Sequence, residues 1–164
     1  MSTDINDITE GTKPAPFKLS ACAIPDGEAG KLTVEAEFKD GMLFTVRYTT
    51  PMAIQRISQT SHILQWNQAK KARENTLDME KFVQGLVKHC VVGWRGITPR
   101  KLSKYILLRN VPVEQLDTEI PFDPTEACFL LQKLEGLETW LIEVARDASL
   151  YQNNVEQEAI AKNS

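Results

Sequence analysis

The stretch Pro121-Phe122-Asp123-Pro124-Thr125-Glu126 constrains the fold more than any other part of the chain. Asp123 stands where a helix cap belongs, because its carboxylate accepts N–H groups that the first turn leaves without a partner. Pro124 suits the first helical position, where the N–H it lacks would have no use. Glu126, three residues past the cap, completes a capping-box pattern. Beyond it Ala127, Leu130, Leu131, Leu134, Leu137, Leu141, Val144, Ala145 and Ala148 recur at the spacing of one helix face. The pattern predicts a single helix over about 124–149, the spine of the fold. Gly136 in its interior costs about 1 kcal/mol relative to alanine.

Nearer the N-terminus the period is two. Leu32, Val34, Ala36 and Phe38 share one face, Lys39-Asp40-Gly41 supplies a turn, and Met42, Phe44 and Val46 alternate again. A β-hairpin over about 32–48 follows. Two strands are marginal alone in water, so the hairpin needs a helix or another strand beside it. Thr50-Pro51 reads as a helix start, and Ile54, Ile57, Ser61 and Leu64 extend a stripe opposite Arg56, Gln59, Gln65, Lys70 and Lys71. That predicts one amphipathic helix over about 51–73, broken by Asn75 to Asp78. Asp78 caps the next helix, over about 79–93, whose apolar side holds Phe82, Val83, Leu86, Val87 and Cys90. Gly85 permits a close neighbour, and Gly93 and Gly96 around Trp94 are expected to end the helix. Leu102 to Leu108 fits helix or strand equally.

These elements predict an α+β fold, a mainly helical domain with an N-terminal β-hairpin, spanning residues 17–151. Residues 1–16 read as a flexible arm and residues 152–164 as a frayed C-terminal segment. A chain of 164 residues holds one ordinary core. Its longest apolar runs, such as Cys128-Phe129-Leu130-Leu131, are too short to cross a bilayer. Met1 to Gly11 is polar and acidic rather than a secretory leader, so a cytoplasmic protein is expected.

The residue types that carry chemistry are scattered. Cysteines 22, 90 and 128 are widely separated, which disfavours a disulfide framework; Cys90 and Cys128 sit among apolar residues as small hydrophobes would. His62 and His89 lack partners at zinc-ligand spacing, and His89 and Cys90, adjacent on a helix, do not face each other. Gly93-Trp94-Arg95-Gly96 is not followed by the lysine of a phosphate-binding loop. No enzyme, metal or cofactor is expected.

Five bases and no acid fall between Arg95 and Arg109: Arg95, Arg100, Lys101, Lys104 and Arg109. With Trp94 and Tyr105 they resemble a phosphate-contacting patch with stacking rings, but a net charge of -3 argues against nucleic acid as the partner. The same charges serve equally as a solvated face or a polar contact with another protein. Trp94 and Trp140 either fill the core or mark a protein-binding surface. The candidate protein-binding residues are therefore Trp94, Arg95, Arg100, Lys101, Lys104 and Trp140.

Three stretches resemble the small tail-assembly chaperones of long-tailed bacteriophages and prophages. They are the hairpin with Gly41 leading into Thr50-Pro51, the run Val91-Val92-Gly93-Trp94-Arg95-Gly96-Ile97, and Pro121-Phe122-Asp123 leading through Trp140 to Ala145. Together they span roughly Leu32 to Tyr151. The resemblance implies a small, largely helical protein without catalysis or cofactor, working in the host bacterial cytoplasm. Its implied partners are the tape-measure protein and the tail-tube subunit, met by apolar helix surfaces and by the hairpin or arm, with a further copy of itself as another. A structural tail or head-tail component of the virion, and a nucleic-acid-binding regulator, are the alternatives.

Overall fold

Asp40 and Gly41 both take positive φ, 53° and 73°, the backbone of the tight turn that matches strand twist. They join β1 (Thr33–Lys39) to β2 (Met42–Arg47) in the antiparallel hairpin that the period-two pattern predicts. Val34 lies opposite Val46 and Ala36 opposite Phe44, so the apolar face is continuous across the pair. The Glu37 carboxylate closes the turn by accepting the Gly41 N–H at 2.8 Å.

The computed structural model describes residues 16–163, with side chains through Gln157. Of the predicted arm only Pro16 is among the described residues. Two four-residue helices, α1 (Leu19–Cys22) and α2 (Asp26–Ala29), precede the hairpin. The Thr50 hydroxyl accepts the Ala53 N–H and starts α3 (Pro51–Thr60), as Thr50-Pro51 predicts.

There the single helix of 51–73 fails. Thr60 and Ser61 turn their hydroxyls back onto Ile57 O, at 3.1 and 2.6 Å, satisfying a carbonyl that a continued helix would have used. The chain then forms a second hairpin, β3 (His62–Asn67) and β4 (Ala72–Leu77). The Asp78 N–H donates to Ser61 O at 2.8 Å and closes its base. The segment predicted as a break between helices is thus a strand. Leu64, assigned to the apolar stripe, stands exposed on the ribbon.

Asp78 caps α4 (Met79–Cys90), accepting N–H groups from Glu80 and Lys81. This helix ends at Cys90, not at the glycines. Val91 to Arg95 becomes β5, and its pairing with β2 completes an antiparallel sheet of order β1-β2-β5. The β-branched pair Val91-Val92 tolerates either state, and the open flank of β2 decides for the strand. The ambiguous segment resolves as a short α5 (Pro99–Leu102) followed by turns, then a 3-10 turn at Val113–Gln115.

The long C-terminal helix is also divided. Asp123 caps α6 (Pro124–Lys133) as predicted, its carboxylate accepting the Glu126 N–H. Gly136 has φ 82° and is the N-cap of α7 (Leu137–Arg146), so it allows a reversal instead of weakening a helix interior. Leu134 and Leu137 on either side of this corner are buried. The segment predicted to fray is helical: α8 (Ala148–Asn163) carries Tyr151 into the core. Asn154 Nδ2 donates to Thr33 O at 2.6 Å and ties this helix to β1.

One face of the sheet meets α4 and α7, while α6 packs on α4 from outside. The core includes Met42, Phe44, Val46, Val83, Leu86, Cys90, Leu131, Leu137 and Leu141. Gly85 works as its sequence position implies: a Cβ there would stand 2.6 Å from Ile57 Cγ2, so its absence lets α3 and α4 approach. The fold is α+β, with the predicted hairpin as the first two strands of its sheet. No helix among the described residues is long and apolar enough to cross a membrane.

Candidate functional site

Trp94 projects from β5 and is half-buried. Its indole Nε1 donates to Ile120 O at 2.8 Å, and its ring meets Phe122 edge-on at 5.1 Å and Phe44 at 6.0 Å. Trp140 comes from α7 and packs on Phe38 at 5.3 Å and on Phe44 at 5.6 Å. The structure therefore brings the two indoles together through Phe44, in a run of five rings from Phe38 to Phe122. Edge-on contacts of this kind suit the ring quadrupoles. They hold the hairpin, β5, α7 and the strap before α6 in one body.

The four cations are placed apart. Arg95 makes a two-pronged contact with Glu35 of β1, at 2.6 and 2.7 Å. That hydrogen bond holds the Glu35 carboxyl below its ordinary range. Arg100 pairs in the same way with Asp117, whose carboxyl is lowered by the same kind of bond. Lys101 Nζ donates to Gly96 O at 2.8 Å, beside the hairpin turn. Lys104 is exposed and makes no ion pair among the described residues. Tyr105 donates its hydroxyl to Asp40, which raises the phenol above its ordinary pKa. Arg95–Glu35 thus ties β5 to β1 across the sheet, Arg100–Asp117 and Lys101–Gly96 O brace the 96–119 segment internally, and Tyr105–Asp40 joins that segment to the hairpin turn. Lys104 and Arg109 face solvent without an ion-pair carboxylate among the described residues, a weak basis for phosphate binding.

Two features gain prominence from the tertiary structure. The first is an open groove of about 710 Å³ between α4 and α6. Val87, Val91, Phe122, Cys128 and Phe129 form its floor and walls, with Glu80, Gln84, Lys88 and Gln132 at the rim. It arises because α6 is laid on α4 by the Asp123 cap and by Phe122, which packs on Trp94. The second is the β3–β4 ribbon, whose Leu64 and Trp66 are 63% and 57% exposed. Sequence reasoning passed over Trp66 because it fell within a predicted helix. The cue was available: Ile63 and Trp66 are out of phase with the stripe of Ile54 and Ile57, and both residue types favour strands.

Burial sorts the cysteines. Cys90 is fully enclosed, with Thr49 Oγ1 3.3 Å from its sulfur. Burial pushes its thiol up, only partly opposed by that contact. Cys128, on the groove wall, is half-buried and its thiol is also raised by burial. Cys22 is exposed. Alkylation followed by mass spectrometry is expected to modify Cys22 first, Cys128 slowly, and Cys90 only once the chain unfolds, since the thiolate is the reactive form. Rapid native-state modification of Cys90 contradicts the burial described.

Among the described residues no group of three or more His, Cys, Asp and Glu side chains is placed to hold a metal ion. No protein-family model, curated protein or solved structure matches the chain.

Proposed function

We propose that this protein is a nonenzymatic assembly chaperone for the tail of a long-tailed bacteriophage or prophage, holding an apolar segment of the tape-measure protein in the α4–α6 groove. The observation that carries the reading is the groove itself, an open and mainly apolar surface where the core residues Val87 and Val91 meet Phe122 and Cys128 and where Phe129 stands 44% exposed. Contiguous exposed apolar surface of this kind characterises protein-binding sites. Two of the stretches that carry the resemblance meet there, Val91 from the second and Phe122 from the third. The groove suits the apolar face of a helix, whose anchors at i, i+3 and i+7 would lie along it. The rim glutamines supply neutral hydrogen-bonding groups, and Glu80 and Lys88 beside them carry one charge of each sign.

Coexpression with the tape-measure protein of the same phage tests the reading. The wild-type chain is expected to copurify with that protein and to raise its soluble yield. Gln84→Glu combined with Gln132→Glu adds two negative charges to the rim, one from each helix, without touching the core, and is expected to lose both effects. In the complex Cys128 is expected to resist alkylation. Absence of copurification with an intact, folded chain overturns the proposal. Recovery of the chain from purified mature virions replaces it with the reading of a structural tail component.

A further inference from the structure

The β3–β4 ribbon carries an apolar ring and a cation side by side. Trp66 lies opposite Arg73 in the antiparallel register, and Leu64, two residues back, shares the Trp66 face. Lys70 is paired with Glu74 at 2.7 Å, so Lys71 and Arg73 are the ribbon's cations without an in-chain ion pair among the described residues. A two-stranded ribbon with such a face is marginal in water on its own.

A surface with the opposite character lies elsewhere on the same chain. Trp94, Leu102, Ile106, Leu108, Ile120 and Phe129 line a small cavity of about 170 Å³, and Glu126 is the one charged residue lining it. Around it, between Asn110 and Lys133, the sequence holds Glu114, Asp117, Glu119, Asp123 and Glu126 and no base. Asp117 binds Arg100, Glu119 accepts the Gly96 N–H, and Asp123 caps α6; of the remaining two, Glu114 and Glu126, it is Glu126 that lines the cavity. The ribbon departs from the N-terminal end of α4, whereas the cavity gathers around Trp94, past its C-terminal end. The twelve-residue helix, ~18 Å long at 1.5 Å per residue, holds the two surfaces apart within one chain.

We propose that a second copy of this chain seats Trp66 in this cavity, with the neighbouring Arg73 paired to Glu126. The match is specific in chemistry: a ring for an apolar cavity and a guanidinium for its single carboxylate. Because ribbon and cavity are different surfaces, the contact is head-to-tail, and repetition builds a ring or a filament. This assembly goes beyond the proposed grip on the tape-measure protein; its cavity adjoins the groove and shares Phe129 with it.

Sedimentation velocity of the full chain over a concentration series tests it. The wild type is expected to associate with rising concentration. Trp66→Ala is expected to weaken that association about 30-fold or more, as loss of a central aromatic anchor does. Glu126→Arg is expected to disrupt it, and Arg73→Glu in the same chain to restore it. Mixing the Trp66→Ala and Glu126→Arg chains leaves one intact ribbon and one intact cavity, so a dimer and nothing longer is expected. All three positions are exposed, and circular dichroism verifies that the variants fold. A wild type that stays monomeric to about 1 mM, or association indifferent to Trp66→Ala and Glu126→Arg, overturns the proposal. So does a Trp66→Ala chain that self-associates normally but no longer captures the tape-measure protein, which assigns the ribbon to that partner.

Discussion

Phe44→Ala is expected to destabilise the protein by about 3–5 kcal/mol, the range for removing a large ring from a packed core. Phe44 is 1% exposed and touches both Trp94 and Trp140. Its removal leaves a cavity where the sheet meets α7 and cuts the run of rings at its centre. Urea denaturation followed by far-ultraviolet circular dichroism measures the loss, as a lower midpoint at an unchanged slope. The near-ultraviolet signal of the two indoles is expected to fall as well, because their fixed environment depends on the ring between them. Trp66→Ala serves as the contrast. It removes a larger side chain, yet one standing in solvent, and is expected to stay within about 0.5 kcal/mol of the wild type. Equal losses at the two positions would contradict the packing described.

Gly96→Ala is the second large effect. Gly96 has φ 74°, and a Cβ there would overlap the carbonyl oxygen of Gly41 in the hairpin turn. The left-handed conformation costs alanine about 1–2 kcal/mol. Forcing an atom into a packed backbone contact adds about 1–3 kcal/mol, so a total near 3 kcal/mol is expected from the two terms. Gly136→Ala separates them. Gly136 has φ 82° with nothing within 4 Å of its Cβ direction, so only the conformational term applies and about 1–2 kcal/mol is expected. Matching midpoints in urea for the two variants would show that the close approach of Gly96 to the hairpin contributes nothing.

Gly96 also shows why the site was harder to read than the elements. As a local signal it marks a helix end, and it does carry positive φ. Its partner Gly41 lies 55 positions earlier in the sequence, and no local pattern announces that the two backbones touch. The bases around it pose the same difficulty. Arg95, Arg100 and Lys101 form one basic run in sequence, but their partners Glu35, Asp117 and Gly96 O come from three places in the chain. Charge counting along the sequence cannot reveal that Arg95 is paired from across the sheet and Arg100 from 17 positions further on. The indoles were legible as large rings needing a partner for their N–H, and Trp94 finds one in Ile120 O. The shared ring, Phe44, required the fold.

Local chemistry in the sequence determined where helices and the first hairpin begin: Thr50, Asp78 and Asp123 each accept the backbone N–H groups of the turn they precede, and Asp40-Gly41 makes the tight reversal. Those choices depend on neighbours a few residues away, so a linear reading reaches them. Where elements stop, and what they become, was decided by the tertiary structure. Val91 to Arg95 is a strand because β2 has an open flank, Gly136 turns because Leu134 and Leu137 must both reach the core, and α8 persists past Tyr151 because that ring is buried against the sheet. Backbone hydrogen bonds are available to a segment in either state, and burial against distant residues selects between them.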